Sequence, residues 1–203
     1  MPITNLDFSR IHSIIYSYLL AEPAKVDMLS SCQFYAIIGS EILKKHYQIE
    51  AKPIAGSFSL LLDEQKKDML MIGLKTGSSS MNDFHFWIEA ENILLDFTSP
   101  LYPIMAGYEK KDTRKYQKVF IKSKADVSEK LDKDGDFNII ENQSLTQTLL
   151  NNFNSRLAYV DIKNICLKWF KKPPQFIDSI RINDSKGNGF IITDKDIRIT
   201  KNW

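Results

Sequence analysis

The segment from Phe84 to Thr98, FHFWIEAENILLDFT, constrains the fold of this chain more than any other stretch. Two short runs of aromatic and aliphatic residues flank Glu91-Asn92, and this spacing predicts an antiparallel hairpin with a two-residue turn. Because strand side chains alternate between two faces, one face of the hairpin is wholly apolar and is expected to lie in the core. That face comprises Phe86, Ile88, Ala90, Ile93, Leu95 and Phe97.

The opposite face of the hairpin carries an imidazole and a carboxylate that can meet. It comprises His85, Trp87, Glu89, Leu94 and Asp96. If Ala90 pairs with Ile93 across the turn, His85 and Asp96 become diagonal cross-strand neighbours, roughly 7–8 Å apart at the backbone. We therefore predict a hydrogen bond between the His85 ring and the Asp96 carboxylate.

The hairpin belongs to a longer region, residues 47–98, in which short apolar runs alternate with charged or turn-forming residues. Four strands are predicted there, in YQIEAKPIAGSFSLLLD, DMLMIGL, FHFWIEA and ILLDFT. Their connections are too short for parallel crossovers, which need about a dozen residues or more, so an antiparallel sheet is expected.

Helical spacing surrounds this region on both sides. Residues 6–20 carry one apolar stripe, made of Phe8, Ile11, Ile15 and Tyr18. A second helix is predicted to begin close to Cys32, because Ser30 and Ser31 are good N-cap residues. Residues 145–169 resume helical spacing, as one long helix or two short ones. The predicted fold class is therefore α+β.

The remaining segments carry weaker signals. Residues 109–136 are highly charged and are predicted to be an exposed excursion with one strand in YQKVFIKS. The end of the chain alternates around Asn188-Gly189, which predicts a closing hairpin. The aspartates in DKDGDFNIIE resemble a calcium loop only superficially, since Phe137 stands where an EF-hand needs glycine. A solvated acidic turn is predicted instead.

Length and charge limit the classes of protein and partner. The 203 residues are expected to form a single domain, 1–203, with a catalytic core at about 28–100 and a C-terminal segment, 142–203, packed on it. A net charge of +2 is too small to direct the whole molecule to nucleic acid, and no apolar run is long enough to span a bilayer. Neither nucleic acid nor membrane is therefore a predicted partner. The basic stretch 110–124 is interpreted as a solvated face, with an acidic partner as the alternative.

The two cysteines of the chain differ in their surroundings. This difference argues against a disulfide and favours a reducing compartment, the cytoplasm. Cys166 shares helical spacing with Ile162 and Trp169 and is expected in the core. Cys32, at the first turn of a helix, meets unpaired backbone N–H groups and the positive end of the helix dipole, which stabilise a thiolate.

The motifs around these residues resemble the transglutaminase-like, papain-related superfamily of thiol enzymes. SCQFYAIIGSEILKKHYQIEAKPIAGSF is similar to its nucleophile region, and HFWIEAENILLDFTSP is similar to its His-x-Trp-Val-Glu strand followed by a strand bearing Asp. The likeness covers about residues 30–100. It implies a helix bearing the cysteine, packed on an antiparallel sheet that bears His and Asp. Cys32, His85 and Asp96 would then be nucleophile, base and orienting acid.

The resemblance also implies the chemistry. It indicates cysteine-dependent acyl transfer on an amide or thioester, by hydrolysis, deamidation or transfer, without a cofactor. The substrate would be a peptide, a protein or a small acyl compound, with Trp87 and Gln33 in contact with it. Papain and many relatives have an aromatic residue after the cysteine, where this chain has Gln33, so papain-like proteolysis is not favoured. The backbone N–H of Cys32 is one natural oxyanion donor.

Three alternatives stay open on the sequence alone. A binding or scaffold protein would keep the fold without turnover. A metal site would combine Asp83 and His85 with Asp96 or His46. The loop KTGSSSMN, which precedes His85, is either a mobile cover over the site or a plain hairpin loop.

Overall fold

A computed structural model describes residues 3–21, 31–75, 77–108, 117–172, 177–183, 187 and 189–203 of the protein. Its helices are α1 (Asn5–Leu20), α2 (Cys32–Ile42), α3 (Tyr102–Met105), α4 (Gln143–Ser155) and α5 (Leu157–Trp169). Its strands are β1 (Ala51–Asp63), β2 (Asp68–Ile72), β3 (His85–Ala90), β4 (Ile93–Asp96), β5 (Phe120–Ser123), β6 (Phe137–Glu141), β7 (Ser179–Asn183) and β8 (Gly189–Thr193). A π-helical turn, Leu43–Tyr47, extends α2, and the predicted α+β class is confirmed.

The main sheet is antiparallel and curls around β1. Among the described strands its order is β2-β1-β3-β4-β5, with β6 also pairing with β1. The 13 residues of β1 pair with β3 over Ala51–Gly56, with β6 over Gly56–Leu60 and with β2 over Phe58–Asp63. At Gly56 a Cβ would lie 2.1 Å from the carbonyl oxygen of Ile140, so glycine is what lets β3 and β6 meet on β1.

The strand predictions for the first half of the chain are confirmed, and one strand was missed. β1 to β4 lie in the four predicted segments, and β5 lies in YQKVFIKS. The strand β6 does not follow from the local pattern, because only Phe137 of its five residues is fully buried. Its position is set by pairing with β1, which is a contact distant in sequence.

The predicted register of the central hairpin is confirmed. Ala90 pairs with Ile93, and the ladder continues to Ile88 opposite Leu95. Glu91 takes a positive φ of 55° in the two-residue turn. The face predicted to be core is buried in the larger apolar cluster of the protein, beneath α1 and α2.

Helix α2 lies very close to this face. A Cβ on Gly39 would lie 2.4 Å from Cδ2 of Phe97 and 3.1 Å from Cδ1 of Ile88, so the backbone of α2 nearly touches the sheet. Ala36 and Gly39, small residues at helical spacing from Cys32, permit this approach. As a result, the N-terminus of α2 is held at the end of β3 where His85 lies.

The C-terminal predictions are partly confirmed. Two helices, α4 and α5, meet at Arg156, which settles the choice between one helix and two. β7 and β8 form the closing hairpin, but Gly189 already pairs with Asn183, so it belongs to the strand and not to a two-residue turn. Asn188 lies outside the described residues, as does 109–116, the most basic part of the stretch 110–124. None of the described helices has the length and apolar character that a membrane span requires.

Candidate active site

Cys32 is the first residue of α2 and opens onto a cleft. The helix begins as predicted, with the N–H of Phe34 bonded to the carbonyl of Ser31 at 2.9 Å. Ahead of this bond, the N–H groups of Cys32 and Gln33 come too early in the helix for an intrahelical carbonyl partner, and the helix dipole is positive at this end. The Cys32 side chain is 3% exposed and lines, with Gln33, a cleft of about 580 Å³.

His85 and Asp96 meet as the hairpin register predicts. Nε2 of His85 forms a hydrogen bond with Oδ2 of Asp96, and both side chains are fully buried. The ring nitrogen Nδ1 is buried and completes no hydrogen bond within the described part of the chain. Since Asp96 occupies Nε2, Nδ1 is the nitrogen left for the thiol.

Electrostatics link Cys32 to this pair. Burial alone lowers the pKa of His85, but the charge and hydrogen bond of Asp96, together with the neighbouring Cys32, raise it to about 10. His85 is therefore an imidazolium at neutral pH, and this cation lies beside the Cys32 side chain. This interaction with Cys32 comes without a completed hydrogen bond at Nδ1 of His85 among the described residues.

Two further groups fix the Asp96 carboxylate, and neither was predicted from the sequence. The N–H of Thr98 donates to Oδ1 at 2.7 Å, and the hydroxyl of Tyr102 donates to Oδ2. Burial and then the charge of Asp96 raise the pKa of Tyr102 well above its ordinary value, so the phenol keeps its proton. The signal was Pro100, which begins a helical turn and brings Tyr102 back over the strand end.

His12 on α1 is a second residue that sequence analysis did not place near the site. Its Nδ1–H donates to the carbonyl of Phe97 at 2.7 Å, and its ring stacks on Tyr35 at 5.1 Å. Burial lowers the pKa of His12 to about 4, against the opposing effects of the Phe97 carbonyl and the Asp96 charge. His12 is therefore neutral and ties α1 to the residue that follows Asp96.

The two residues predicted to contact substrate fall in different places. Gln33 lines the cleft beside Cys32. Trp87 does not, because the sheet face that it shares with His85 is covered by the smaller core cluster around Phe58, Tyr102 and Phe120. Trp87 is 1% exposed there and packs beneath the site. The prediction that Trp87 contacts substrate is therefore corrected.

The loop KTGSSSMN, residues 75–82, borders the cleft. Lys75, Met81 and Asn82 contribute to its wall, together with β2, Met105 and the α4–α5 junction. Thr76 lies outside the described residues. The position of the loop agrees with a cover over the site, which remains a prediction.

Of the residues of the metal alternative, His85 and Asp96 meet, but Asp83 and His46 have other contacts. Both carboxylate oxygens of Asp83 accept backbone N–H groups, from Gly73 at 3.0 Å and Lys75 at 2.8 Å. His46 lies on the π-helical turn and packs against Phe170 at 5.1 Å. Within the described residues, no three His, Cys, Asp or Glu side chains form a metal-binding group.

Comparisons with known proteins bear on fold and family. No curated protein shows significant similarity to the chain. A solved structure described as the crystal structure of genomics APC5867 aligns with a TM-score of 0.83 at 22% identity, over 100% of this chain and 98% of that one. At this identity the likeness shows a shared fold alone. The family model described as "Protein of unknown function (DUF2026)" matches residues 4–203, and the chain therefore belongs to the DUF2026 family.

Proposed function

We propose that this protein catalyses cysteine-dependent acyl transfer on an amide or thioester. The observation that carries the proposal is the arrangement of three side chains. Cys32 lines the cleft and interacts electrostatically with His85, and Nε2 of His85 is bonded to Asp96. In this arrangement Cys32 is the thiol nucleophile, His85 is the base, and Asp96 is the acid that orients the base. The fold assignment to the transglutaminase-like superfamily is part of this proposal.

The reaction would proceed in two steps. In the first, the Cys32 thiolate attacks the substrate carbonyl, a carbon–sulfur bond forms, and the carbonyl electron pair moves onto oxygen. The backbone N–H of Cys32, in the first turn of α2, would donate to that oxygen. The intermediate then expels an amine or thiolate, which takes the proton from Nδ1 of His85.

The second step regenerates the thiolate. Water or another nucleophile attacks the acyl-cysteine, and its proton returns to His85 as the carbon–sulfur bond breaks. Asp96 holds the ring through Nε2 in both steps, so Nδ1 stays directed at the reacting atoms. Both cysteines are free thiols, which agrees with the proposed action in the cytoplasm.

The test is alkylation by iodoacetamide, followed cysteine by cysteine with mass spectrometry. Cys32 should react much faster than Cys166, which is fully buried and whose pKa burial raises. Exposure alone also favours Cys32, so the decisive comparison is His85→Gln, which should slow Cys32 by about tenfold or more. His46→Gln is the matched control, because His46 lies away from the cleft, and it should leave the rate unchanged.

The scaffold alternative predicts a different result. It is favoured by the low exposure of Cys32, 3%, which limits access to the sulfur. A thiol retained without turnover would react slowly with iodoacetamide and at the same rate in His85→Gln. That outcome would leave the fold and remove the proposed chemistry.

A further inference from the structure

The cleft wall carries two cations that have no acidic partner among the described residues. Lys75 and Arg156 line it from the loop after β2 and from the α4–α5 junction. Within the described residues, neither forms a salt bridge. Asp83 is the acidic residue on this wall, and backbone N–H groups already occupy both of its carboxylate oxygens. The described part of the cleft therefore attracts anions.

Contacts within the protein hold the Arg156 side chain in place. Its Nη1 donates to the hydroxyl of Tyr159 at 2.8 Å, and the guanidinium lies over the Tyr159 ring, 5.0 Å from its centroid. Both contacts reduce the side-chain freedom that would be lost on binding. A guanidinium presents five N–H donors in a planar fork that matches carboxylate and phosphate oxygens. Most of this fork remains for a ligand.

About half of the cleft surface is apolar. Met71 and Met81 line it and are 61% and 45% exposed. Other apolar members of the wall are Ile72, Phe84, Met105 and Phe153. Methionine adapts its shape to what it contacts, so this wall suits a flexible apolar segment. The volume of about 580 Å³ lies within the range of small-molecule sites, roughly 300–1,000 Å³.

We infer that the substrate is a small amide or thioester with a flexible apolar segment and an anionic oxygen group, a carboxylate or a phosphate. Arg156 binds the anion, Lys75 adds favourable charge, and the methionine wall covers the apolar segment. This inference rests on the proposed acyl transfer at Cys32, which lines the same cleft. It narrows the substrate from the general set of peptides, proteins and acyl compounds.

The test measures binding of four unreactive probes by isothermal titration calorimetry. Octanoate carries both features, octanamide lacks the charge, acetate lacks the chain, and octyl phosphate replaces the carboxylate. We expect octanoate to bind about tenfold more tightly than octanamide and more tightly than acetate. Octyl phosphate compared with octanoate then identifies which anion the cleft prefers.

Variants locate the interaction. Arg156→Gln should weaken octanoate binding about tenfold, and Lys75→Gln severalfold, with octanamide binding unchanged in both. Arg198→Gln is the matched control, since Arg198 is exposed, pairs with Asp196 and lies outside this cleft. Circular dichroism checks that each variant is folded.

The result does not depend on the reactivity of Cys32, because the same titrations are repeated in Cys32→Ala. A protein that binds octanoate through Arg156 but leaves Cys32 inert to iodoacetamide would keep this inference about the ligand and lose the acyl-transfer chemistry. Equal affinity for octanoate and octanamide, an Arg156→Gln variant that behaves like Arg198→Gln, or no saturable binding of octanoate would each overturn the inference.

Discussion

Replacing Tyr102 by Phe tests whether the Asp96 carboxylate is held in place by its surroundings. Asp96 receives three hydrogen bonds, from His85, Tyr102 and the N–H of Thr98. Tyr102→Phe removes one of them and leaves the ring in place. Asp96 and Tyr102 are both fully buried, so water cannot replace the lost hydroxyl donor without a change of packing.

The expected loss follows from the charge and burial of Asp96. A hydrogen bond to a charged group contributes about 1.5–3 kcal/mol, so Tyr102→Phe should lower the free energy of unfolding by that amount. The carboxylate should also fix the His85 ring less well. Since small errors in the position of reacting groups are costly, we expect alkylation of Cys32 to slow by about tenfold.

The assays are urea unfolding and iodoacetamide alkylation at neutral pH. Tyr47→Phe is the matched control, because the Tyr47 hydroxyl donates to Oδ1 of Asp7 at 2.6 Å in a half-buried position that is not part of the cleft. Tyr47→Phe should lower the free energy of unfolding by less than Tyr102→Phe does, and it should leave the rate of Cys32 alkylation unchanged. If Tyr102→Phe changed the unfolding free energy by less than about 0.5 kcal/mol and left the Cys32 rate intact, the supporting role of Tyr102 would be refuted.

Three other predictions concern packing and pH. Gly39→Ala should lower the free energy of unfolding, measured in urea, by about 1–2 kcal/mol. The reason is that crowding of the new methyl group against Phe97 outweighs the gain of about 1 kcal/mol in helix propensity. Glu41→Ala, at an exposed position of the same helix, should not destabilise the protein. The pKa of His85 is raised from 6.5 to about 10, so its contribution to stability is complete below pH 6.5 and is lost as pH rises through about 10. Between pH 6.5 and 10, the urea concentration at the unfolding midpoint should fall less steeply with rising pH in His85→Gln than in the unmodified protein. His12 has its pKa lowered from 6.5 to about 4, so stability should fall as pH drops through that interval, and a His12→Asn protein that kept the full slope would contradict this.

The hairpin and the helix start could be predicted because the information is local. Alternation with period two and a two-residue turn fix the register of β3 and β4, and that register alone brings His85 to Asp96. The start of α2 at Cys32 also matches the prediction, although the Ser31 side chain forms no capping hydrogen bond. Such short-range geometry depends on backbone chirality and spacing, which are the same in every fold.

The alternation of side chains along a strand does not reveal which segments of the chain cover each face of the sheet. Trp87 shares a face with His85, but whether that face meets a substrate or a core depends on segments far away in the chain. Phe120 and Phe137 close it, and the second of these lies on a strand that the local pattern did not reveal. The prediction for Trp87 was wrong for this reason.

The sequence by itself determined the chemical identity of the candidate site: a thiol at a helix N-terminus and an imidazole paired with a carboxylate. Only the tertiary structure decided how that site is supported and what it can receive. Tyr102 and His12 reach the strand end from other elements, and Arg156 reaches the cleft from a helix junction more than a hundred residues after Cys32. These contacts depend on how whole elements pack, which is a property of the assembled core and not of any single segment.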